Sequence, residues 1–288
     1  MLDFIQRCRR AAPLNTFALI LISLLTFATQ VEAKPTRLLL GGTGGDLGTM
    51  RLLAKAYEKS HPDVTVQVVP SLGSGGGIKA LLAGAIDLSI SSRPVKDKEY
   101  AQGARSRPYA KTALVFAVPK NMPNKGITTP KVLEIFTGDR AMWADGSPVR
   151  LVLRPPTDGD FRILAKHING MGEALKRASK RKHLPVGVTD QHNAEILEKL
   201  KCGFGVTSLS LILAEKRSLR ALALDGIVPS PETIASGAYP IGKTFHLVTG
   251  PAVTTLASDF IAFIGSPEGS RILRRSGHVE VSQQAAQK

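Results

Sequence analysis

Three short segments of this chain carry residue types that could hold an anion. They are residues 41–48 (Gly-Gly-Thr-Gly-Gly-Asp-Leu-Gly), 73–77 (Gly-Ser-Gly-Gly-Gly) and 154–160 (Arg-Pro-Pro-Thr-Asp-Gly-Asp). Backbone N–H groups at a helix start lack intrahelical partners and carry partial positive charge. Glycine lets a ligand approach them closely, and an anion is the natural guest. Ser74 adds a hydroxyl to the second segment, and Arg154 brings a rigid fork of donors that suits a tetrahedral oxyanion. Each glycine turn taken alone could equally be only a turn.

Other chemistries find little support. No Lys-Ser/Thr follows either glycine segment, so neither is a P-loop, and Leu47 stands where a dinucleotide fingerprint needs its third glycine. Leu72 before Gly73-Ser74 breaks the pattern of a hydrolase nucleophile elbow. The six histidines show no metal-ligand spacing. Asp158 and Asp160 are two apart, which on a helix directs them to different sides and argues against a shared acid–base pair. No catalytic residue, metal or cofactor is therefore expected.

The elements that must position these segments read as alternating strands and helices. Residues 37–40 form a short apolar strand running into glycines. Leu47, Met50, Leu53, Ala54 and Tyr57 line one helix face, and Pro62 sets its end. Residues 64–69 alternate as a half-buried strand does. The second glycine turn opens a helix through Ile78, Leu81 and Leu82, and residues 87–91 form the next strand. Residues 112–118 read as a strand crossing between lobes, residues 149–153 as a strand ending at Arg154, and Phe161 to Leu175 as a helix. Residues 183–188 and 194–200 repeat strand and helix, residues 245–248 return to the first lobe, and Leu256, Phe260, Phe263 and Ile264 close the chain on a helix face. Alternation of this kind predicts an α/β fold of mostly parallel sheets, with ligands beyond the carboxyl ends of strands.

The N-terminus carries Arg7, Arg9 and Arg10, an apolar run over 16–28, and Val31-Glu32-Ala33. These are the parts of a signal peptide cleaved near Ala33, and the run is short for a spanning helix. Export to the periplasm is the expectation. Of the two cysteines, Cys8 lies in that leader, so Cys202 has no partner within the mature chain. The formal charge of +15 admits nucleic acid, an anionic surface or an anionic ligand. The basic residues gather at 176–182 and 271–275, which fits solvated helix faces. With 5% aromatic residues and no recognised motif, nucleic acid is not expected as a partner.

Taken in order, several segments resemble the phosphate-binding proteins of ABC transporters. They are Gly42-Thr43-Gly44 with its helix, residues 71–79, and Asp87-Leu88-Ser89-Ile90-Ser91-Ser92-Arg93-Pro94. Residues 135–138 followed by Trp143, residues 224–234, residues 236–240 and Ser266-Pro267-Glu268-Gly269 continue the match. It runs from about residue 38 to 281. The resemblance implies a type II periplasmic-binding-protein fold, with two lobes, mixed mostly parallel sheets and two crossing strands. The implied division is a signal peptide over 1–33, lobe I over 34–113, lobe II over 114–242, a return to lobe I over 243–282, and a polar tail over 283–288. The implied function is a monomeric solute-binding protein that holds phosphate or a related small oxyanion in its cleft and docks on a membrane permease.

Carried over by position, the ligand contacts would be Thr43, Gly45 and Asp46 in the first turn and Ser74 with Gly75 in the second. Ser92 and Arg93 follow, then Arg154, Asp158, Gly159 and Asp160 in the third. Here the chain departs from the family pattern. Asp158-Gly159-Asp160 stands where Ser-Gly-Thr is usual, and Gly45-Asp46 where a Thr-aromatic pair is usual. Carboxylates repel a dianion in a poorly solvated cleft. Two readings follow. The aspartates cap helices while an anion binds elsewhere in the cleft, or they fill the site against Arg154 and the ligand or role is altered, towards sensing or adhesion.

Overall fold

The computed structural model describes residues 36–138 and 141–281. The leader over 1–33 and the tail over 283–288 lie outside the described residues. The first stretch runs β1 (Thr36–Gly42), a 3₁₀ turn (Gly44–Asp46), α1 (Leu47–Ser60), β2 (Val64–Val68), α2 (Gly73–Leu82), β3 (Leu88–Ser91), α3 (Asp97–Ala101) and β4 (Arg105–Pro119). Then come β5 (Gly126–Ile127), α4 (Thr129–Thr137), β6 (Arg150–Leu151), α5 (Gly159–His167), α6 (Met171–Lys180), α7 (Asp190–Lys199), β7 (Gly203–Ser208), α8 (Leu209–Ala214), β8 (Leu219–Ala221), β9 (Ala223–Leu224) and α9 (Pro231–Ala235). The chain closes with β10 (Gly242–Thr249), α10 (Thr255–Ile264), α11 (Pro267–Arg275) and β11 (His278–Glu280).

The strands join in the order β2-β1-β3-β10-β4-β7-β6, with β8 and β11 also on β4. The sheet is mixed. Its flanks are parallel, with Leu40 opposite Leu88 and Arg150 opposite Gly203, while β10 and β4 run antiparallel at its centre. β4 is the shared element: residues 105–113 pair with β10, and residues 114–117 pair with β7. The apolar cores follow the same division. One cluster packs Leu38, Met50, Tyr57, Phe245 and Phe260. A second runs from Ala113 to Ile241 and stacks Phe116 on Phe204, and a small third one gathers Ile78, Leu81, Ile86, Ala104 and Val248. Among the described residues no helix is long and apolar enough to cross a membrane.

Local chemistry sets the ends that matter for the site. In β1 the alternate side chains of Leu38 and Leu40 are fully buried, and the strand then runs into Gly42 at φ 135°. A Cβ there would strike the backbone of Ile90, so only glycine lets β1 lie so close to β3. A Cβ at Gly77 would stand 2.6 Å from Ser89 Oγ, which shows how closely α2 rests on the sheet. α1 buries Met50, Leu53, Ala54 and Tyr57, the face its periodicity predicts.

Two elements of the second half differ in kind from their sequence reading. Phe161 to Leu175 is not one helix. α5 ends at His167, and Gly170, at φ 82°, begins α6 as its N-cap. Residues 183–188 form no named strand. His183 sits at φ 68° and Pro185 lacks an N–H, leaving only a bridge from Val186 to Leu153.

Candidate functional site

Four helical N-termini converge on one cavity of about 700 Å³. Thr43 precedes the 3₁₀ turn, and Ser74 and Gly75 open α2. Asp158 and Gly159 open α5, while Thr189 and Asp190 open α7. Their orphan N–H groups give the cavity a positive lining before any side chain is counted.

The wall from the first half is made of hydroxyls and backbone. Ser74 Oγ lies 3.0 Å from Ser92 Oγ and accepts a hydrogen bond from the Ser92 N–H at 3.0 Å. Arg93 lines the cavity, but its guanidinium donates to both oxygens of Glu99, at 2.8 and 2.7 Å. That bidentate pair holds the Glu99 carboxyl down at about 2, chiefly through the Arg93 hydrogen bonds.

The opposite wall is charged and largely sealed. Arg154 is 5% exposed. Its Nη1 donates to the Gly187 carbonyl at 2.7 Å, and its Nη2 to Asp158 Oδ2 at 2.5 Å. Asp190 Oδ2 lies 3.6 Å from the same nitrogen. Asp158 also caps α5, its Oδ1 accepting from the Asp160 N–H at 2.8 Å. Asp160 turns inward and pairs with Lys243 Nζ at 2.6 Å, both side chains almost completely buried. Asp190 Oδ1 stands 3.9 Å from that ammonium. Burial pushes Asp160 up to about 6; the Lys243 ammonium opposes the shift, and the carboxylates of Asp158 and Asp190 reinforce it. Burial alone would lower Lys243, but the three aspartates outweigh it and keep the amine protonated. Arg154 is likewise raised against its burial, by Asp190 first and then Asp158.

Of the residues expected at the site, Thr43, Ser74, Gly75, Ser92, Arg93, Arg154, Asp158 and Gly159 line the cavity. Gly45, Asp46 and Asp160 do not. Gly45 packs under the wall, where its carbonyl accepts from Ser208 and Ser210, each at 2.9 Å. Asp46 is turned away and buried, with Oδ1 2.8 Å from His278 Nε2 and Oδ2 accepting from the Tyr109 hydroxyl. Burial, with Asp46 adjacent, holds the Tyr109 phenol well above its usual value, so it is a donor. Thr49 Oγ1 completes the group, 3.1 Å from His278 Nε2. Both aspartates would be costly in an open anion site, and each is withdrawn onto its own partner.

Sequence reasoning missed Lys243 and Asp190, which complete the charged wall, and Lys96 and Arg162 at its margin. A signal existed for Asp190. Thr189-Asp190 is a helix start, with Thr189 accepting from the His192 N–H, whereas periodicity placed that helix only from residue 194. Lys243 is a lone cation beside an apolar strand, which pattern alone cannot assign to a site. Among the described residues no group of histidines, cysteines and carboxylates could hold a metal ion.

Comparison with known proteins places this architecture. A model described as a PBP superfamily domain matches residues 29–268. The phosphate-binding protein PstS of Bacillus subtilis is 24% identical over 239 residues, covering 80% of this chain and 75% of its own. A Clostridium perfringens protein solved with bound phosphate superposes with a TM-score of 0.72 at 22% identity, over 86% of this chain and all of that one. An ABC-type phosphate transport receptor from Vibrio cholerae gives 0.57 at 18% identity, over 84% and 99%. The shared fold is that of two-lobed periplasmic binding proteins.

Proposed function

The chain belongs to the PBP superfamily, and from that premise we propose that it is the solute-binding component of an ABC importer, holding phosphate or a related small oxyanion in the cavity between its two halves. The observation that carries this reading is the convergence of four helical N-termini, from elements far apart in sequence, on one cavity. Donors so arranged suit an anion and no other small ligand class as well. The relatives named for phosphate binding and the Vibrio cholerae transport receptor support the same ligand and role.

The chain acts by binding, without catalysis. Lobe I over 34–113 and 243–282 contributes Thr43, Ser74 and Ser92, and lobe II over 114–242 contributes the ends of α5 and α7. An oxyanion bridging them stabilises a shut form through contacts absent in the open one. The shut form docks on a membrane permease. The chain works as a monomer in the periplasm, after cleavage near Ala33.

The test is calorimetric titration with phosphate, sulfate, molybdate, phosphite and an organic phosphonate. Phosphate binds, and Ser74→Ala weakens it about fivefold through the loss of one hydrogen bond. Absence of heat with every oxyanion sinks the reading. Small-angle scattering checks closure: an unchanged radius of gyration at saturating ligand counts against it.

A further inference from the structure

The innermost cations of the cleft are already neutralised. Arg154 and Lys243 face Asp158, Asp160 and Asp190 at 2.5 to 3.9 Å, so carboxylates at least match ammonium and guanidinium there. A compact dianion entering this wall meets hydrogen-bond donors but no surplus positive charge. The surplus lies outward. Arg162 and Lys96 border the cavity, and Lys79 and Lys98 lie beyond them. Among the described residues neither Lys79, Lys98 nor Arg162 forms an ion pair.

Lys79 and Lys98 line a second cavity of about 520 Å³, which shares Gly75, Arg93 and Lys96 with the first. Its one carboxylate, Glu99, is taken by Arg93. The two cavities therefore adjoin at the start of α2, with the uncompensated charge on the far side of their shared border. Ser74 and Lys79 stand five residues apart on α2, about 7.5 Å along its axis and about 140° around it. Helical side chains lean towards the N-terminus, which brings the Lys79 amine back towards Gly75. The first cavity alone exceeds a tetrahedral oxyanion, whose bulk is that of a few waters at ~30 Å³ each.

Resting on the phosphate reading above, we infer that the ligand carries two anionic groups, one a phosphoryl group at the α2 N-terminus beside Ser74 and Ser92, the other reaching the basic second cavity past Lys96. Pyrophosphate is the smallest compound of that class. The second group supplies the charge pairing that the inner wall denies to orthophosphate. The formal charge of +15 favours encounter with such polyanions.

The test is titration of the full chain with orthophosphate, pyrophosphate and glycerol 3-phosphate at one fixed ionic strength. Pyrophosphate binds about tenfold tighter than the other two, as expected for one added charge-assisted contact. The Lys79→Ala/Lys98→Ala variant, altered only at exposed positions, loses roughly fivefold for pyrophosphate and leaves orthophosphate unchanged. Orthophosphate binding as tightly as pyrophosphate, or a variant that weakens both alike, overturns the inference while the phosphate reading stands. Glycerol 3-phosphate matching pyrophosphate overturns it too, since size and not charge would then be read. If no phosphoryl compound binds, both readings fall.

Discussion

Two buried clusters of ionisable groups lie on either side of the Gly44–Asp46 turn. In one, Asp46 meets His278, Tyr109 and Thr49 behind the turn, every side chain buried. In the other, Asp158, Asp160 and Asp190 meet Arg154 and Lys243, and part of the group opens on the cavity. The first has one carboxylate with a phenol, an imidazole and a hydroxyl around it, and it ties β11 and β4 to the turn. The second has more carboxylates than cations, and its partners come from the connection between β6 and α5, from α5 and α7, and from β10. A sealed cluster can only hold structure. An open one sets what charge the cavity offers.

The largest way to break the comparison is Lys243→Met. It leaves Asp160, almost completely buried, and Asp190 without the ammonium between them. Removing one partner of such a pair costs about 3–5 kcal/mol. Denaturant unfolding at pH 7 should show that loss. At pH 5, where Asp160 can take a proton, the loss should be smaller. An equal loss at both pH values would mean that the ion pair does not govern the wall. On the sealed side, His278→Leu removes a partner of Asp46 while Tyr109 stays, and should cost about 2–3 kcal/mol. Oxyanion affinity should stay at the wild-type value, which separates this cluster from the one that opens on the cavity.

The pH dependence of stability sharpens the contrast. Asp160 has its carboxyl raised by burial from 3.8 to about 6. Between these values the folded protein keeps a proton that the unfolded chain has released. The contribution is therefore full below about pH 4 and is lost as the pH rises through about 6. Wild type should lose on the order of 3 kcal/mol relative to Asp160→Asn across that window. Parallel stability curves for the two proteins would place the proton elsewhere.

The two clusters were unequally legible. Glycine turns and hydroxyls announced the helix starts at Thr43 and Ser74 and the strand end at Ser92, because their chemistry is local and needs only adjacent residues. Arg154 with Asp158 was readable for the same reason, four residues apart across one turn. Asp46 was misplaced into the ligand set. Its partners, Tyr109 and His278, lie 63 and more than 200 residues away, and nothing near Asp46 shows which way it turns. Lys243 and Asp160 meet only because β10 returns to the centre of the sheet after the whole second half has folded. The strand β4 was read short, from residue 112, because its first half carries Arg105, Arg107 and Lys111 and looks like surface; pairing with β10 draws it into the sheet.

The finest test returns to Asp158. Its carboxylate does two jobs, capping α5 and occupying the Arg154 fork. Serine keeps the cap, since both are among the preferred N-cap residues, so the stability lost in Asp158→Ser should be that of the broken Arg154 pair alone, about 1–3 kcal/mol. It does not keep the charge. Arg154 Nη2 then lacks its nearest acceptor, and the inner wall changes from carboxylate excess to balance. Orthophosphate affinity should rise about tenfold, the worth of one charge-assisted hydrogen bond. The preference for pyrophosphate should shrink by the same factor, because the compact ion now finds inside the cleft what the larger one finds at Lys79 and Lys98. A variant with wild-type affinity for both would mean that Asp190, 3.6 Å from the same nitrogen, simply takes the vacated place. The double variant Asp158→Ser/Asp190→Asn would then be the one to tighten.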